Sequence, residues 1–397
     1  MEQMNGGHVR NGRKMVTVLG STGSIGRQAL DVIASRSDLF GLFGIAGGGN
    51  RELLIEQARR WRPRFVASRL PIDRSLLPDD VRLLCGEHAA SELASMAEAD
   101  VIVNGISGLP ALEPLLCALR ARKRVALANK ESIVCGHDLI DGTVAAYGGS
   151  VIPVDSEQSA LFQCLSCGRS EEVEKLWLTA SGGPFWQYDK EQLKNVTLAD
   201  ALKHPTWNMG RKITVDSASL FNKGLEVIEA SYLFHMPVSR IGVLIHPQSV
   251  VHSFVEFRDR TCIANMSCPD MRLPIQYAMT YPDREVSPCE RLSLAEVSAL
   301  TFHKADPDRF DALRLAYEAW YAGGTMTSVY NAANEFAVSL FMQEKIRFSD
   351  IAPCVEEAML HHSARPVGDV EDIRDAYRDA EISVAEFARR HEGRGAL

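Results

Sequence analysis

The sequence predicts an α/β fold in three parts: an N-terminal parallel sheet covered by helices, a central α+β domain and a C-terminal helical bundle. Three observations carry this. From Met15 to about Ser150, short apolar runs alternate with helical patterns, in "MVTVLG", "LFGIAGGG", "RFVAS", "VRLLCG", "DVIVNGISG", "RVALANKES" and "SVIPVDSE". Such alternation predicts successive βαβ units. Between about 155 and 280 the apolar strands lengthen, in "KLWLTASGGPF", "IGVLIHPQSVVHSFVEF" and "TCIANMS", which predicts a second sheet. After a proline-punctuated connector, "FDALRLAYEAWYAGG", "SVYNAANEFAVSLFMQ" and "DIAPCVEEAMLHH" carry helical periodicity. The predicted order is therefore a flexible lead (1–14), a first domain (15–154), a second (155–281), a connector (282–306) and a helical domain (307–397).

Composition narrows the function classes. The chain has 397 residues, long enough for two or three domains, with 46% hydrophobic and 24% charged residues. No run approaches the ~18 apolar residues of a membrane span, and the polar start "MEQMNGGHVRNGRKM" lacks a secretory apolar core. A cytoplasmic protein with no membrane partner is expected. The net charge of −8 argues against a broad nucleic-acid surface, so an anionic ligand needs a local cluster. Nine scattered cysteines suit reduced thiols. Cys164 and Cys167 fall within one helical pattern without a second Cys-x-x-Cys, and read as packed thiols rather than a zinc site.

"MVTVLGSTGSIGRQALDVI" places Gly20, Gly23 and Gly26 between a strand-like run and a helical one. Glycines there permit a tight turn and close backbone approach, while the helix N-terminus offers N–H groups to a pyrophosphate. As a bare pattern this is a common turn; in its strand-turn-helix setting it predicts a Rossmann-like dinucleotide site. The second strand ends in "IAGGGNRE", without the acid that usually binds the ribose 2′-hydroxyl of NADH. Gly47, Gly48, Gly49 and Asn50 leave room for a 2′-phosphate, with Arg51 nearby, and NADPH is the expected cofactor. An incidental Arg beside a glycine-rich turn would look the same.

Further clusters lie at strand ends. In "VIPVDSEQSALFQCL", Asp155 and Gln158 have the spacing of a capping box, and Glu157 would complement a helix N-terminus. If the chain stays extended through Glu157, both carboxylates instead lie on one face about 7 Å apart at Cα and can converge on a divalent cation. "RVALANKES" ends a strand with Asn129, Lys130 and Glu131, which is either a ligand cluster or an N-capped helix start. Ser181-Gly182-Gly183 can cradle an anion or simply turn. In "HPTWNMGRKITVDSASLFNKGLEVIEA", Ser217, Asn222 and Lys223 supply the donors a phosphate monoester takes, and Glu226 adds a third carboxylate. The segment "HPTWNMGRK" reads as a loop able to close over a ligand.

Together these segments resemble the 1-deoxy-D-xylulose 5-phosphate reductoisomerase family, through "GSTGSIG", "ANKES", "VDSE", "SGGPF", "HPTWNMGRKITVDSASLFNKGLE" and "HPQSVVHS" in order and spacing. The glycine loop alone is unspecific; the block from His204 to Glu226 is highly specific. The resemblance implies NADPH- and metal-dependent rearrangement and reduction of a ketose phosphate to 2-C-methyl-D-erythritol 4-phosphate in non-mevalonate isoprenoid synthesis. It implies that Asp155, Glu157 and Glu226 ligate one Mg²⁺ or Mn²⁺. It places Thr22, Gly23, Ser24, Ile25, Gly48, Gly49, Asn50, Asn129, Glu131 and Gly210 at NADPH. Lys130, Ser156, Glu157, Ser181, His204, Ser217, Asn222, Lys223 and Glu226 surround the substrate, with Lys130, Asp155, Glu157, His204 and Glu226 in the catalytic set. The loop with His204, Trp207 and Met209 resembles a closing lid, and a homodimer is implied, with "HPQSVVHSFVEF" near its interface.

One departure stands out: some relatives carry lysine where this chain has Gly49. On the metal reading, the backbone at Ser156 stays extended and the helix begins just beyond Glu157. A semialdehyde-type reductase would need a reactive cysteine, which these blocks lack, and a NADP(H)-sensing regulator would need no metal.

Overall fold

The computed structural model describes residues 12–204, 207, 210–305 and 310–391. It forms two compact units. The first comprises the chain up to Ser132, Asp138–Ser159 and Asp270–Glu290; the second comprises Ile133–His137, Ala160–Pro269 and the chain from Arg291.

The first unit is built on seven parallel strands: β1 (Lys14–Leu19), β2 (Phe40–Gly47), β3 (Phe65–Ser68), β4 (Arg82–Cys85), β5 (Val101–Asn104), β6 (Arg124–Leu127) and β7 (Ser150–Pro153). Their order is β4-β3-β2-β1-β5-β6-β7. Each apolar run read as a βαβ strand is a strand here. Val16, Val18, Ile45, Val66, Ile102, Val103 and Val125 are fully buried, as a sheet covered on both faces requires. The order reverses at β1, which pairs with β2 on one side and β5 on the other. Carboxyl ends diverge at such a reversal and open a crevice for a ligand.

The segment Asp270–Glu290, which the sequence assigns partly to the second domain and partly to the connector, packs with this first unit. The reason is local chemistry at a helix end. The helix Arg272–Thr280 leaves carbonyls without intrahelical partners. Lys14 Nζ donates to Met279 O at 3.2 Å and Thr280 O at 3.3 Å, and Arg124 donates to Tyr281 O at 2.6 Å. Two cations from β1 and β6 thus complement the negative end of that helix. Arg36 reaches Glu285 and the carbonyl of Val286 from the same unit.

The second unit contains a mixed five-stranded sheet, β11-β10-β8-β9-β12, from β8 (Val173–Ala180), β9 (Ile241–Ile245), β10 (Val251–Phe257), β11 (Cys262–Met266) and β12 (His303–Lys304). β8 and β9 run parallel, and the other pairs are antiparallel. The predicted C-terminal helices form over Asp311–Ala322, Met326–Met342, Ile351–His361 and Val370–His391. They share one compact unit with the sheet. Tyr330, fully buried, explains part of this: its hydroxyl donates to Ala312 O at 3.0 Å, and a Cβ on Gly224 would lie 2.1 Å from that oxygen. Only glycine lets the helix Phe221–Leu233 lie so close. Among the described residues no helix is long and apolar enough to cross a membrane.

Candidate active site

In the first unit the glycine loop follows β1 and leads into the helix Ser24–Ser35, with Gly23 as its N-cap in extended conformation (φ −77°, ψ 175°). Thr22, Gly23, Ser24 and Ile25 therefore occupy the turn and first residues of a helix whose leading N–H groups suit a pyrophosphate. Gly26 is required by packing: a Cβ there would stand 2.2 Å from Gly20 O and 2.5 Å from Ser21 Cα. The loop is anchored by a residue that no motif signals. Gln57, buried in the helix Arg51–Trp61, donates to Ser21 O at 2.8 Å and accepts from Ser21 Oγ at 2.7 Å. Gly48 and Gly49 follow β2, and Asn50 caps the next helix by accepting from Leu53 N at 3.0 Å.

Asn129 is 3% exposed and caps the helix Lys130–Tyr147, its Oδ1 accepting from Ser132 N at 2.7 Å. Its amide donates to Glu131 at 2.8 Å and Gly108 O at 3.2 Å, so Asn129 and Glu131 are held together at the end of β6. One residue on, Lys130 pairs with Asp155 Oδ2, the two side chains 7% and 14% exposed. That oxygen is buried against the ammonium, which neutralises its charge.

The helix after β7 does not begin beyond Glu157. It spans Ser156–Leu165, with Ser159 N donating to Asp155 O at 2.8 Å, so Ser156 is helical rather than extended. A helix start here competes successfully with extension: Asp155 and Gln158 have cap spacing, and Glu157 complements the dipole in the first turn. The side chains nevertheless converge. A carboxylate oxygen of Asp155 and one of Glu157 lie within 4.8 Å of each other, and Ser156 Oγ donates to Glu157 Oε2 at 2.5 Å.

In the second unit Ser181 follows β8, and the turn through Gly182 and Gly183 uses positive φ at both (+82° and +61°). A Cβ on Gly183 would meet Ala218 Cα at 2.8 Å, which brings this turn against the helix Arg211–Ser219 that carries Ser217. His204 Nδ1 accepts from Trp207 N at 2.8 Å, leaving the proton on Nε2, which stands 2.9 Å from Ser181 Oγ and donates to it. Burial lowers the His204 pKa below its ordinary value, favouring this neutral form. Trp207 is half-buried with its ring 6.3 Å from that of His252; Met209 lies outside the described residues. Gly210 caps the helix that follows.

Leu220, in left-handed conformation (φ 64°), divides that helix from Phe221–Leu233. On the second helix Asn222, Lys223 and Glu226 share one face. Asn222 donates to Glu226 Oε1 at 2.5 Å, and Lys223 pairs with Oε2; Lys223 is 2% exposed and Glu226 fully buried. The face is braced by residues whose spacing gave no signal. Asp216, 1% exposed, accepts from Asn334 at 2.9 Å and pairs with Lys212 at 2.7 Å, fixing the helix that bears Ser217. His246 of "HPQSVVHS" is likewise structural, its Nε2 accepting from Val250 N and Val251 N at 3.2 Å each.

A parallel sheet reversing at a glycine loop, with Lys130 and Asp155 paired at the ends of adjacent strands, is the arrangement of nucleotide-dependent oxidoreductases of doubly wound fold. Sequence profiles narrow this: the 1-deoxy-D-xylulose 5-phosphate reductoisomerase profile matches residues 16–137, and its two C-terminal domain profiles match 151–234 and 266–382. The chain belongs to the 1-deoxy-D-xylulose 5-phosphate reductoisomerase family. It is 45% identical over 367 residues to the reductoisomerase of Chloroherpeton thalassium, covering 91% of this chain and 95% of that one. It is 45% identical over 388 residues to that of Gloeobacter violaceus, covering 96% and 99%. Among solved structures, the Zymomonas mobilis enzyme in complex with NADPH superposes with a TM-score of 0.87 at 38% identity, over 95% of this chain and 99% of that one. A reductoisomerase in complex with NADPH, fosmidomycin and magnesium gives 0.89 at 34%, over 95% and 98%.

Proposed function

We propose that this protein converts 1-deoxy-D-xylulose 5-phosphate to 2-C-methyl-D-erythritol 4-phosphate, by rearrangement followed by NADPH-dependent reduction, in non-mevalonate isoprenoid synthesis. The observation that carries the reading is the ligand pair at the end of β7. Asp155 and Glu157 present converging carboxylates, with the Lys130 ammonium against Asp155. Asp155, Glu157 and Glu226 are the proposed ligands of one Mg²⁺ or Mn²⁺, an all-oxygen set suited to a hard cation. When bound, the cation supplies Lewis acidity and a template for adjacent ketone and hydroxyl oxygens, and NADPH supplies hydride.

This chain's own residues do the rest. Thr22, Gly23, Ser24 and Ile25 hold the cofactor pyrophosphate, while Gly48, Gly49 and Asn50 receive its adenosine end. Asn129, Glu131 and Gly210 complete the cofactor contacts. Lys130, held beside Asp155, stabilises negative charge developing on the substrate oxygens. Ser181, Ser217, Asn222 and Lys223 bind the remote phosphate, whose binding energy helps close the loop around Trp207 over the reacting carbons. His204, with its Nε2 proton committed to Ser181, orients that hydroxyl toward the phosphate. The proposed division of labour is NADPH binding by 15–154, catalysis and homodimer formation by 155–281, and support by the helices from 307, in a cytoplasmic enzyme that binds neither nucleic acid nor membrane.

The test is NADPH oxidation on addition of 1-deoxy-D-xylulose 5-phosphate, with and without chelator. Oxidation that needs both substrate and free divalent metal is expected; oxidation indifferent to chelator would sink the metal assignment.

A further inference from the structure

We infer that Arg69 supplies the positive charge that holds the 2′-phosphate of NADPH, in place of a lysine at Gly49. The inference rests on reading the first unit as an NADPH site. A 2′-phosphate monoester carries between one and two negative charges at neutral pH and requires N–H donors and cations. The turn after β2 provides space but no side-chain charge: Gly47, Gly48 and Gly49 precede Asn50, and a Cβ on Gly49 would meet nothing within 4 Å.

The neighbouring strand supplies what the turn lacks. β3 pairs with β2 in parallel, with Gly47 opposite Ser68, and Arg69 N donates to Gly47 O at 3.4 Å just beyond the paired residues. Arg69 is thereby delivered beside the turn, where a Cβ on Gly48 would lie 3.9 Å from Arg69 Nε. Its exit from the strand is pinned by Ser68 Oγ, which donates to Leu70 O at 2.6 Å. Arg69 is exposed, and among the described residues its guanidinium has no hydrogen-bond or ion-pair partner. Arg51, the nearer arginine in sequence, is instead drawn to Pro71 O at 3.2 Å. A guanidinium in this position offers a planar fork that matches phosphate oxygens.

The experiment is equilibrium binding of NADPH and NADH, by nucleotide fluorescence or calorimetry, to the full-length protein and its Arg69→Ala and Arg51→Ala variants, without substrate. Arg69→Ala is expected to weaken NADPH by about 10- to 100-fold, the range of a charged hydrogen bond, and NADH by less than about twofold. Arg51→Ala is expected to change either nucleotide little. The same pattern is expected for 2′,5′-ADP against 5′-ADP. Equal losses for both nucleotides, or unchanged NADPH binding, would overturn the role of Arg69. Wild-type protein that holds NADH as tightly as NADPH would instead remove the cofactor reading beneath it.

Discussion

Two buried lysine–carboxylate pairs, one in each unit, are made in opposite ways. Lys223 and Glu226 sit three residues apart on a single helix, with side chains 3% and 1% exposed. Lys130 and Asp155 are distant in sequence and meet because β6 and β7 lie side by side, Val154 N donating to Leu127 O at 2.9 Å; they are 7% and 14% exposed. The local pair is drier, and helix geometry sets its spacing. The non-local pair depends on sheet register and on the helix start at Ser156. A charge buried to this degree is retained only while its counter-charge stays in place.

The largest effect is expected at the local pair. Glu226→Gln removes the carboxylate that neutralises Lys223 in a nearly dry site, and should destabilise the protein by about 3 kcal/mol or more. It should also lower metal-dependent turnover by about 100-fold or more, since even the groups that merely support metal ligands are worth up to that much. NADPH binding should survive. Chemical denaturation and steady-state rates check both halves, and near-normal rates would remove Glu226 from the metal site. Asp155→Asn should impair turnover comparably but destabilise less, by about 1–2 kcal/mol, because its pair is wetter. A larger loss of stability from Asp155→Asn than from Glu226→Gln would reverse the comparison.

Lys223→Ala separates binding from structure. On the proposed reading it raises KM for the phosphorylated substrate by about 10- to 100-fold, the worth of a charged hydrogen bond, while the Kd of NADPH stays within about twofold. Parallel losses in both constants would make Lys223 a structural counter-ion to Glu226 and nothing more.

Much of this was legible because it is local. The strands of the first sheet are apolar runs, the glycine loop is a strand-turn-helix pattern, and Asn222 and Glu226 are one helical turn apart. What escaped depends on partners distant in the chain. Asp270–Glu290 joins the first unit because Lys14 and Arg124, more than 100 residues away, meet a helix C-terminus. Gln57 and Asn334 act through Ser21 and Asp216, and no periodicity marks them. Arg69 gains its place only when β3 is set beside β2. The helix start at Ser156 escapes the sequence because an extended backbone and a first helical turn both bring the carboxylates of Asp155 and Glu157 within reach of each other.

The smallest expected effect concerns His204 and its hydrogen bond with Trp207. Nδ1 accepts from Trp207 N, so a second proton on the ring would abolish that hydrogen bond, and burial lowers the pKa further in the same direction. A group whose folded pKa lies below its unfolded value binds fewer protons folded than unfolded as pH falls. Its contribution to stability is therefore complete above the ordinary histidine pKa of about 6.5 and declines as pH falls from there toward the folded value. His204→Gln, which keeps an amide acceptor without a titrating ring, should flatten that part of the stability–pH profile. It should leave the plateau near pH 8 almost unchanged. Denaturation midpoints measured between pH 5 and 8 on the two proteins supply the check: parallel profiles would mean that folding does not shift the His204 pKa and that protonation leaves its bond with Trp207 without effect on stability.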